Sequence, residues 1–348
     1  MREVPMRRVR SAQYGTGTAD RRAHGAQRAK LRMGNTYMDK PKIIVVTGPT
    51  ATGKTAFGAL LAKTANGEVV SADSMQVYKH MNIGTAKPTE EEMLGVPHHM
   101  IDVVPPCEDY SAARYIADAA NYVDDILMRG KLPILVGGTG LYIDSLLSGR
   151  IFSARGDAAL RQALETEYDE IGGGAMLRKL SGFDPVSAEK LHANDKKRIV
   201  RAIEVYSTSG KTISQHDCET KALPPRYAAT KVALTFSDRA QLYARIDNRV
   251  DDMIIKGLES EVRSLLEMGV TSDCTAMQAI GYKEMTAAIF GQYSVDDAVE
   301  IIKMESRRYA KRQLTWLRRD ANIQWITWEK SPDIESCAEQ LSIDSFAL

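Results

Sequence analysis

Lys42-Ile-Ile-Val-Val-Thr-Gly48-Pro-Thr-Ala-Thr-Gly53-Lys54-Thr55, followed by Ala56-Phe-Gly-Ala-Leu-Leu-Ala-Lys-Thr-Ala65, reads as a buried strand, a phosphate loop and a helix. Ile43 to Val46 form a β-branched run suited to a strand covered on both faces. Gly48 to Thr55 match GxxxxGK[ST] between that strand and apolar residues at helical spacing, the context in which loop amides wrap a phosphate. Gly48, Pro49, Thr50, Ala51, Thr52 and Gly53 are therefore the candidate diphosphate cradle. Lys54 would neutralise phosphate charge and Thr55 would hold Mg²⁺ through its hydroxyl, with the helix dipole adding to both. The expected ligand carries a di- or triphosphate.

Two more buried runs follow, Glu68 to Asp73 and Leu132 to Gly138, separated by a helical stretch from Tyr110 to Arg129. Strands alternating with helices predict a parallel sheet covered on both faces. From Asp157 to about Ser209 the pattern is purely helical, broken at Gly172 to Gly174 and at Asp184-Pro185. Lys231 to Phe236 restores a strand, three helices are expected up to Asp320, and Ile323 to Trp328 reads as a last strand. The expected fold is α/β, a P-loop NTPase-like parallel sheet flanked by helices with a smaller all-helical insertion. Residues 41–152 and 223–330 form the expected core, 153–222 the insertion, and 331–348 a C-terminal helix or tail.

The 348 residues are 26% charged and 44% hydrophobic, which excludes disorder, collagen and coiled coil for the chain as a whole. Cys107, Cys218, Cys274 and Cys337 lie dozens of residues apart, so neither a zinc ribbon nor a disulfide scaffold is available. No apolar run reaches the roughly 18 residues of a membrane span, and a cytoplasmic protein is expected. The net charge of +1 hides an asymmetry: residues 1–40 hold ten Lys and Arg against three Asp and Glu, leaving the body acidic. That segment reads as a disordered basic tail, with a nucleic-acid arm or a mis-called start at Met33 or Met38 as alternatives.

An ATPase or kinase should carry an acid at the end of a nearby strand, yet Pro133 to Val136 runs into Gly137-Gly138-Thr139 without a carboxylate. The acid that does end a strand is Asp73, in SADSMQVYKHMNIGTAKP, on the rim where open α/β sheets bind ligands. With Ser74 and Gln76 beside it, Asp73 could take a proton from a nucleophile while a diphosphate leaves along the P-loop.

GPTATGKT, SADSMQVYKHMNIGTAKP, VGGTGLY, LHANDKKRIVRAIEVYSTSGK, AIGYKE and YAKRQLTWLRR, in this order from about Lys42 to Trp328, resemble the bacterial tRNA dimethylallyltransferases. The resemblance implies transfer of a dimethylallyl group from dimethylallyl diphosphate to N6 of the adenosine immediately 3′ of the tRNA anticodon. The partners it implies are dimethylallyl diphosphate and the anticodon stem-loop, with Mg²⁺ as cofactor and a monomer as the working unit. No water then attacks a γ-phosphate, which accounts for the missing strand-end acid.

By the same resemblance Asp73 is the general base, Arg249 a catalytic cation at the leaving diphosphate with Arg245 one helical turn earlier, and Thr139 a catalytic and tRNA-touching residue. Ser74, Met75 and Gln76 match contacts to a target nucleotide drawn out of the anticodon loop. Arg161, Lys197, Arg198 and Arg201 match tRNA contacts of the insertion, and Gln278, Gly281 and Tyr282 a further tRNA-facing segment. The stretch Arg307 to Arg319 interleaves cations with Tyr309 and Trp316 and suits phosphate contacts.

His98 and His99 beside Asp102 invite a metal reading, but adjacent histidines point different ways and no further ligands stand at zinc spacing. Met75, Met81, Met93 and Met100 read as core and pocket filling. Departures from the family pattern include the 40 extra residues at the start, a carboxyl end without the zinc-finger extension of some eukaryotic members, and Asn82 where the family often has Asp. Two rivals remain: an adenylate isopentenyltransferase acting on free AMP, ADP or ATP, and a P-loop kinase or nucleotide-dependent RNA-binding protein. The helical insertion and the basic Arg307–Arg319 stretch favour a macromolecular acceptor.

Overall fold

The computed structural model describes residues 40–150, 152 and 157–346. The expected basic tail lies, but for Lys40, outside the described residues. Six strands form one sheet: β1 (Lys42–Thr47), β2 (Gly67–Ser71), β3 (His98–His99), β4 (Leu132–Val136), β5 (Ala228–Phe236) and β6 (Gln324–Trp328). Their order is β3-β2-β4-β1-β5-β6, and every neighbouring pair is parallel.

Strand β1 shows why the sheet is doubly covered. Ile43 and Val45 join one apolar cluster with Tyr115, Ala119 and Val123 of α2 (Ala112–Met128) and Ile143 and Leu146 of α3 (Gly140–Ser148). Ile44 and Val46 point to the other face, against Phe57 and Leu61 of α1 (Lys54–Thr64) and Leu242. The period of two in a strand splits one apolar run between two cores. The central register pairs Val46 with Val136 on one side and Val232 on the other. The loops after β1, β2 and β4 therefore open on one edge, the carboxyl edge where such sheets take ligands.

Helices α4 (Ala158–Ile171), α5 (Gly173–Ser181), α6 (Pro185–Lys190), α7 (Lys196–Ser209) and α8 (Ile213–Ala222) follow α3. Leu164, Met176, Leu180, Ile199 and Ile203 give them an apolar cluster of their own. Between β5 and β6 the chain forms α9 (Arg239–Ile255), α10 (Leu258–Glu267), a 3₁₀ turn (Thr275–Gln278), α11 (Tyr282–Ile289) and α12 (Val295–Leu317). That is one α-helix more than expected. The break falls at Gly257, whose φ of 96° ends α9 and starts α10. The last helix, α13 (Ile334–Phe346), lays Ile334 and Ala338 on the α1 side of the sheet.

Strand β3 was not anticipated, because two residues carry no periodicity. It is fixed by an ionic cluster. Glu68, 2% exposed, accepts from Nη1 and Nη2 of Arg129, from Lys131 Nζ at 2.8 Å, and pairs with His99 Nε2 at 2.8 Å. The Arg129 hydrogen bonds, helped by Lys131 and His99, hold the Glu68 carboxyl far below the usual carboxylate range. The stabilisation is therefore complete above the unfolded pKa of about 4.3 and is lost as pH falls below it. Glu68→Gln should lower the melting temperature at neutral pH by a few degrees, the scale of roughly 2 kcal/mol in a domain this large. Thermal melts across pH check this: the gap to wild type closes below about pH 4.

Candidate active site

A polar cavity opens at the carboxyl edge, the place where sheets of this kind take ligands. Its walls bring together the P-loop (Thr50, Lys54, Thr55), the turn after β2 (Asp73, Gln76), the end of β4 (Val136, Gly137, Gly138), and Arg249 of α9. Residues separated by nearly 200 positions in the chain thus meet in one pocket.

Gly48 has φ 141°, and a Cβ there would lie 2.4 Å from the Leu234 carbonyl oxygen of β5, so only glycine lets the chain leave β1 at this angle. Pro49 supplies a carbonyl that accepts from the buried Thr52 hydroxyl at 2.9 Å and from Lys54 Nζ at 2.7 Å. Thr52 therefore faces into the loop, and its own carbonyl accepts from Trp328 Nε1 at 3.1 Å. Ala51 sits in the left-handed region at φ 65°, and Arg245 Nε donates to its carbonyl at 3.1 Å. Arg245 braces the loop from outside, while Arg249, one turn on, lines the cavity. Gly53, with φ 89°, precedes α1.

Burial, then the positive charge of Arg249, pulls Lys54 down to about 7, and burial lowers Arg249 as well. Two cations facing one another beside Asp73 form a site completed by an anion. Lys54 is protonated below about pH 7 and neutral above it, so an incoming diphosphate should draw a proton onto it. Calorimetry of diphosphate binding in buffers of different ionisation enthalpy should show close to one proton taken up at about pH 8 and little at about pH 6. Lys54→Met should abolish that uptake.

Asp73 is oriented by its own turn: Oδ1 accepts from the backbone N–H of Met75 at 2.8 Å and of Gln76 at 3.3 Å. Oδ2 is the oxygen left to receive a proton. Thr139 lies at the N-cap of α3 but spends its hydroxyl elsewhere: Oγ1 accepts from Ser74 N–H at 3.1 Å, and Thr139 N–H donates to the Ala72 carbonyl at 3.1 Å. Thr139 thereby fixes the Asp73 turn to the end of β4. The Ser71 hydroxyl donates to Gln76 Oε1 at 3.0 Å, and Gln76 Nε2 donates toward the carbonyls of Thr85 and Ala86.

Several lining residues were not assigned to the site from sequence, Gln313, Tyr309 and His98 among them. Gln313 of α12 accepts from Thr50 N–H and donates to the Gly138 carbonyl, both at 3.0 Å, and so ties the P-loop to the β4 end. Its signal was a polar residue on the stripe Ala310, Gln313, Leu317, which is the buried face of the helix. Tyr309 stands one turn before it, its hydroxyl pushed up to about 12 by burial and the Asp73 charge. His98 lines the cavity with Nδ1 bonded to the Val96 carbonyl at 2.9 Å, and burial lowers the pKa of its ring. His99 points away, to Glu68, and stacks on Tyr122.

The residues expected on the RNA divide. Lys197 and Arg198 are exposed at the start of α7. Arg161 and Arg201 both converge on the fully buried Glu204, Arg161 Nη2 at 2.9 Å and Arg201 Nη1 at 2.8 Å; Arg161 thereby joins α4 to α7, while Arg201 pairs within α7. Gln278 is exposed, with Nε2 donating to the Ser272 carbonyl. Gly281 is buried, and Tyr282 is wholly so at 0% exposure, donating its hydroxyl to Glu261 at 2.5 Å. An RNA contact through the Tyr282 side chain does not fit this placement; the ring belongs to the core behind the cavity. Along α12, Arg307 pairs with Asp247, whereas Lys311 and Arg312 are exposed and Arg312 lies over Tyr309.

A family model described as IPP transferase matches residues 76–320, and one described as isopentenyl transferase matches residues 41–104. The chain is 49% identical over 300 residues to a tRNA dimethylallyltransferase of Acetivibrio thermocellus, covering 86% of this chain and 96% of that protein. It is 47% identical over 301 residues to one of Carboxydothermus hydrogenoformans, with the same coverage. Among solved structures it resembles a tRNA isopentenylpyrophosphate transferase from Bacillus halodurans, at TM-score 0.65 and 40% identity over 88% of this chain and 96% of that one. A eukaryotic dimethylallyltransferase acting on tRNA superposes at TM-score 0.75 and 31% identity, over 88% and 79% of the two chains.

Proposed function

The chain belongs to the IPP transferase family of tRNA dimethylallyltransferases, and from that membership we propose how its residues carry out the transfer. The activity is movement of the dimethylallyl group from dimethylallyl diphosphate to N6 of the adenosine 3′ of the anticodon, with release of diphosphate. The observation that carries the residue assignment is the meeting of Asp73 with Lys54 and Arg249 across one cavity.

The N6 lone pair attacks the allylic carbon, the C–O bond to the diphosphate breaks, and the N6 proton passes to Asp73 Oδ2. An aromatic amine is a weak nucleophile, so a carboxylate taking its proton during attack lowers the barrier. The electron pair leaves on the diphosphate oxygen, held by Lys54, Arg249 and the P-loop amides. The cations are already in place, so their field acts without reorganisation at the moment of bond cleavage. Gln313 keeps the loop in register with Gly138, and Thr139 keeps the Asp73 turn in register with the same strand end.

The Thr55 hydroxyl, in the first turn of α1 and on the cavity wall, fits Mg²⁺ bound mainly through a substrate diphosphate, because such ions take one or two protein oxygens and keep several waters. When bound it would neutralise charge on the leaving group. Exposed Lys197, Arg198, Lys311 and Arg312 suit contacts to the anticodon stem. No helix among the described residues is long and apolar enough to cross a membrane.

The free-nucleotide branch is tested by offering unmodified tRNA and AMP as competing acceptors with labelled dimethylallyl diphosphate and Mg²⁺. Label on tRNA alone supports the polymeric acceptor, and label on AMP moves the enzyme to the other branch.

A further inference from the structure

The acceptor side of the cavity stands on the segment 82–88, where Thr85, Ala86 and Pro88 line the wall. Gln76 depends on this segment: with Oε1 fixed by the Ser71 hydroxyl, Nε2 is aimed by the carbonyls of Thr85 at 3.4 Å and Ala86 at 3.3 Å. Outside helix and strand, the segment is closed by two backbone bonds, Ala86 N–H to the Ile83 carbonyl at 2.9 Å and Lys87 N–H to the Asn82 carbonyl at 3.0 Å, and by side-chain contacts, of which one from α10 reaches three successive N–H groups.

Glu261 Oε2 accepts from the N–H groups of Asn82 and Ile83, both at 2.8 Å, and Oε1 from those of Ile83 at 3.1 Å and Gly84 at 3.2 Å. Three successive backbone N–H groups converging on one anion form a nest, here filled by the protein's own carboxylate. The Tyr282 hydroxyl donates to Oε1 at 2.5 Å. The Tyr282 ring also packs so closely that a Cβ on Gly84 would lie 2.4 Å from it. Neither Glu261 nor Tyr282 lines the cavity, so any effect on the reaction passes through the segment.

We propose that Glu261, braced by Tyr282, is a positioning residue for acceptor recognition: it holds the backbone of Asn82 to Gly84 so that the Thr85 and Ala86 carbonyls present the Gln76 carboxamide to the target base. The proposal rests on the acceptor reading above, since it is the adenine that Gln76 would meet. It gives the AIGYKE segment a part in base reading from behind the pocket. The chemistry is asymmetric: a carboxylate accepts every N–H it meets, whereas a carboxamide at the same place turns an NH₂ donor toward donors.

The test uses the full chain with an unmodified anticodon stem-loop RNA and dimethylallyl diphosphate, comparing wild type, Glu261→Gln, Tyr282→Phe and each change combined with Gln76→Ala. Expected is a loss in kcat/KM for RNA of about 30-fold for Glu261→Gln and about 5-fold for Tyr282→Phe, the range of one charge-assisted and one neutral hydrogen bond. KM for dimethylallyl diphosphate stays within about twofold, and in the Gln76→Ala background both further losses shrink to near nothing, as for groups acting through one another. Tyr282→Phe keeps the ring packing, so its melting temperature should stay close to wild type and the comparison survives if Glu261→Gln folds poorly. Losses that add to that of Gln76→Ala, or that raise both substrates' KM together, would overturn the proposal and leave Glu261 a purely structural residue. A wild-type enzyme that fails to modify the RNA would remove the acceptor reading itself, an outcome separable from active wild type with unaffected variants.

Discussion

Asp73→Asn should slow transfer by about 10² to 10⁴-fold, the usual worth of a positioned general base, while KM for dimethylallyl diphosphate moves little. The split follows from geometry. Asparagine can keep the Asx-type contacts that Asp73 Oδ1 makes to the N–H groups of Met75 and Gln76, so the turn survives. What disappears is the oxygen that accepts the N6 proton. Single-turnover transfer, with enzyme in excess over labelled substrate, reads the chemical step free of product release. A drop in kcat with unchanged diphosphate affinity marks a group acting in the transition state. A variant that transfers at the wild-type rate would mean that the proton goes elsewhere.

Arg249→Ala should cost about 10² to 10³-fold in kcat/KM for dimethylallyl diphosphate, the scale for removing one preorganised donor at a site of developing charge. Arg249 lies on the cavity wall, shielded enough that burial lowers its pKa, and in such surroundings a cation acts more strongly on a phosphate than in water. Arg245→Ala should cost much less, because that side chain supports the Ala51 carbonyl from outside the pocket. Removing Arg249 also takes away one of the influences that lower Lys54, so the proton uptake on binding should fade at about pH 8. Kinetics with diphosphate as competitive inhibitor check the ordering: the inhibitor should weaken with the substrate for Arg249→Ala and hold for Arg245→Ala.

The strand, loop and helix at Lys42 to Thr64 were legible because three local rules agree there: a β-branched run, a glycine-framed loop and apolar residues at helical spacing. Sheet order was not legible, since parallel strands pair across long crossovers and β3 is only two residues long. Asp73 was singled out from its strand-end position, and it lines the same cavity as Lys54 and Arg249.

Resemblance was a weaker guide to side-chain placement. It set Arg201 and Tyr282 among the tRNA contacts, but the Arg201 guanidinium bonds the buried Glu204, and Tyr282 at the head of α11 faces inward. Phase says which residues share a face; only the tertiary fold says what covers it. Gln313 and Glu261 escaped notice for a related reason. Each acts on backbone groups more than 170 positions away, and no local pattern encodes that distance.

Nucleoside analysis of unmodified tRNA incubated with the protein, Mg²⁺ and labelled dimethylallyl diphosphate, for wild type and Asp73→Asn, tests the transfer and its base together. The expected result is label as N6-dimethylallyladenosine directly 3′ of the anticodon, with one diphosphate released per adduct, and a rate that collapses in the variant. Label on free AMP in preference to tRNA, or phosphate release from a nucleoside triphosphate without any prenyl adduct, would contradict it.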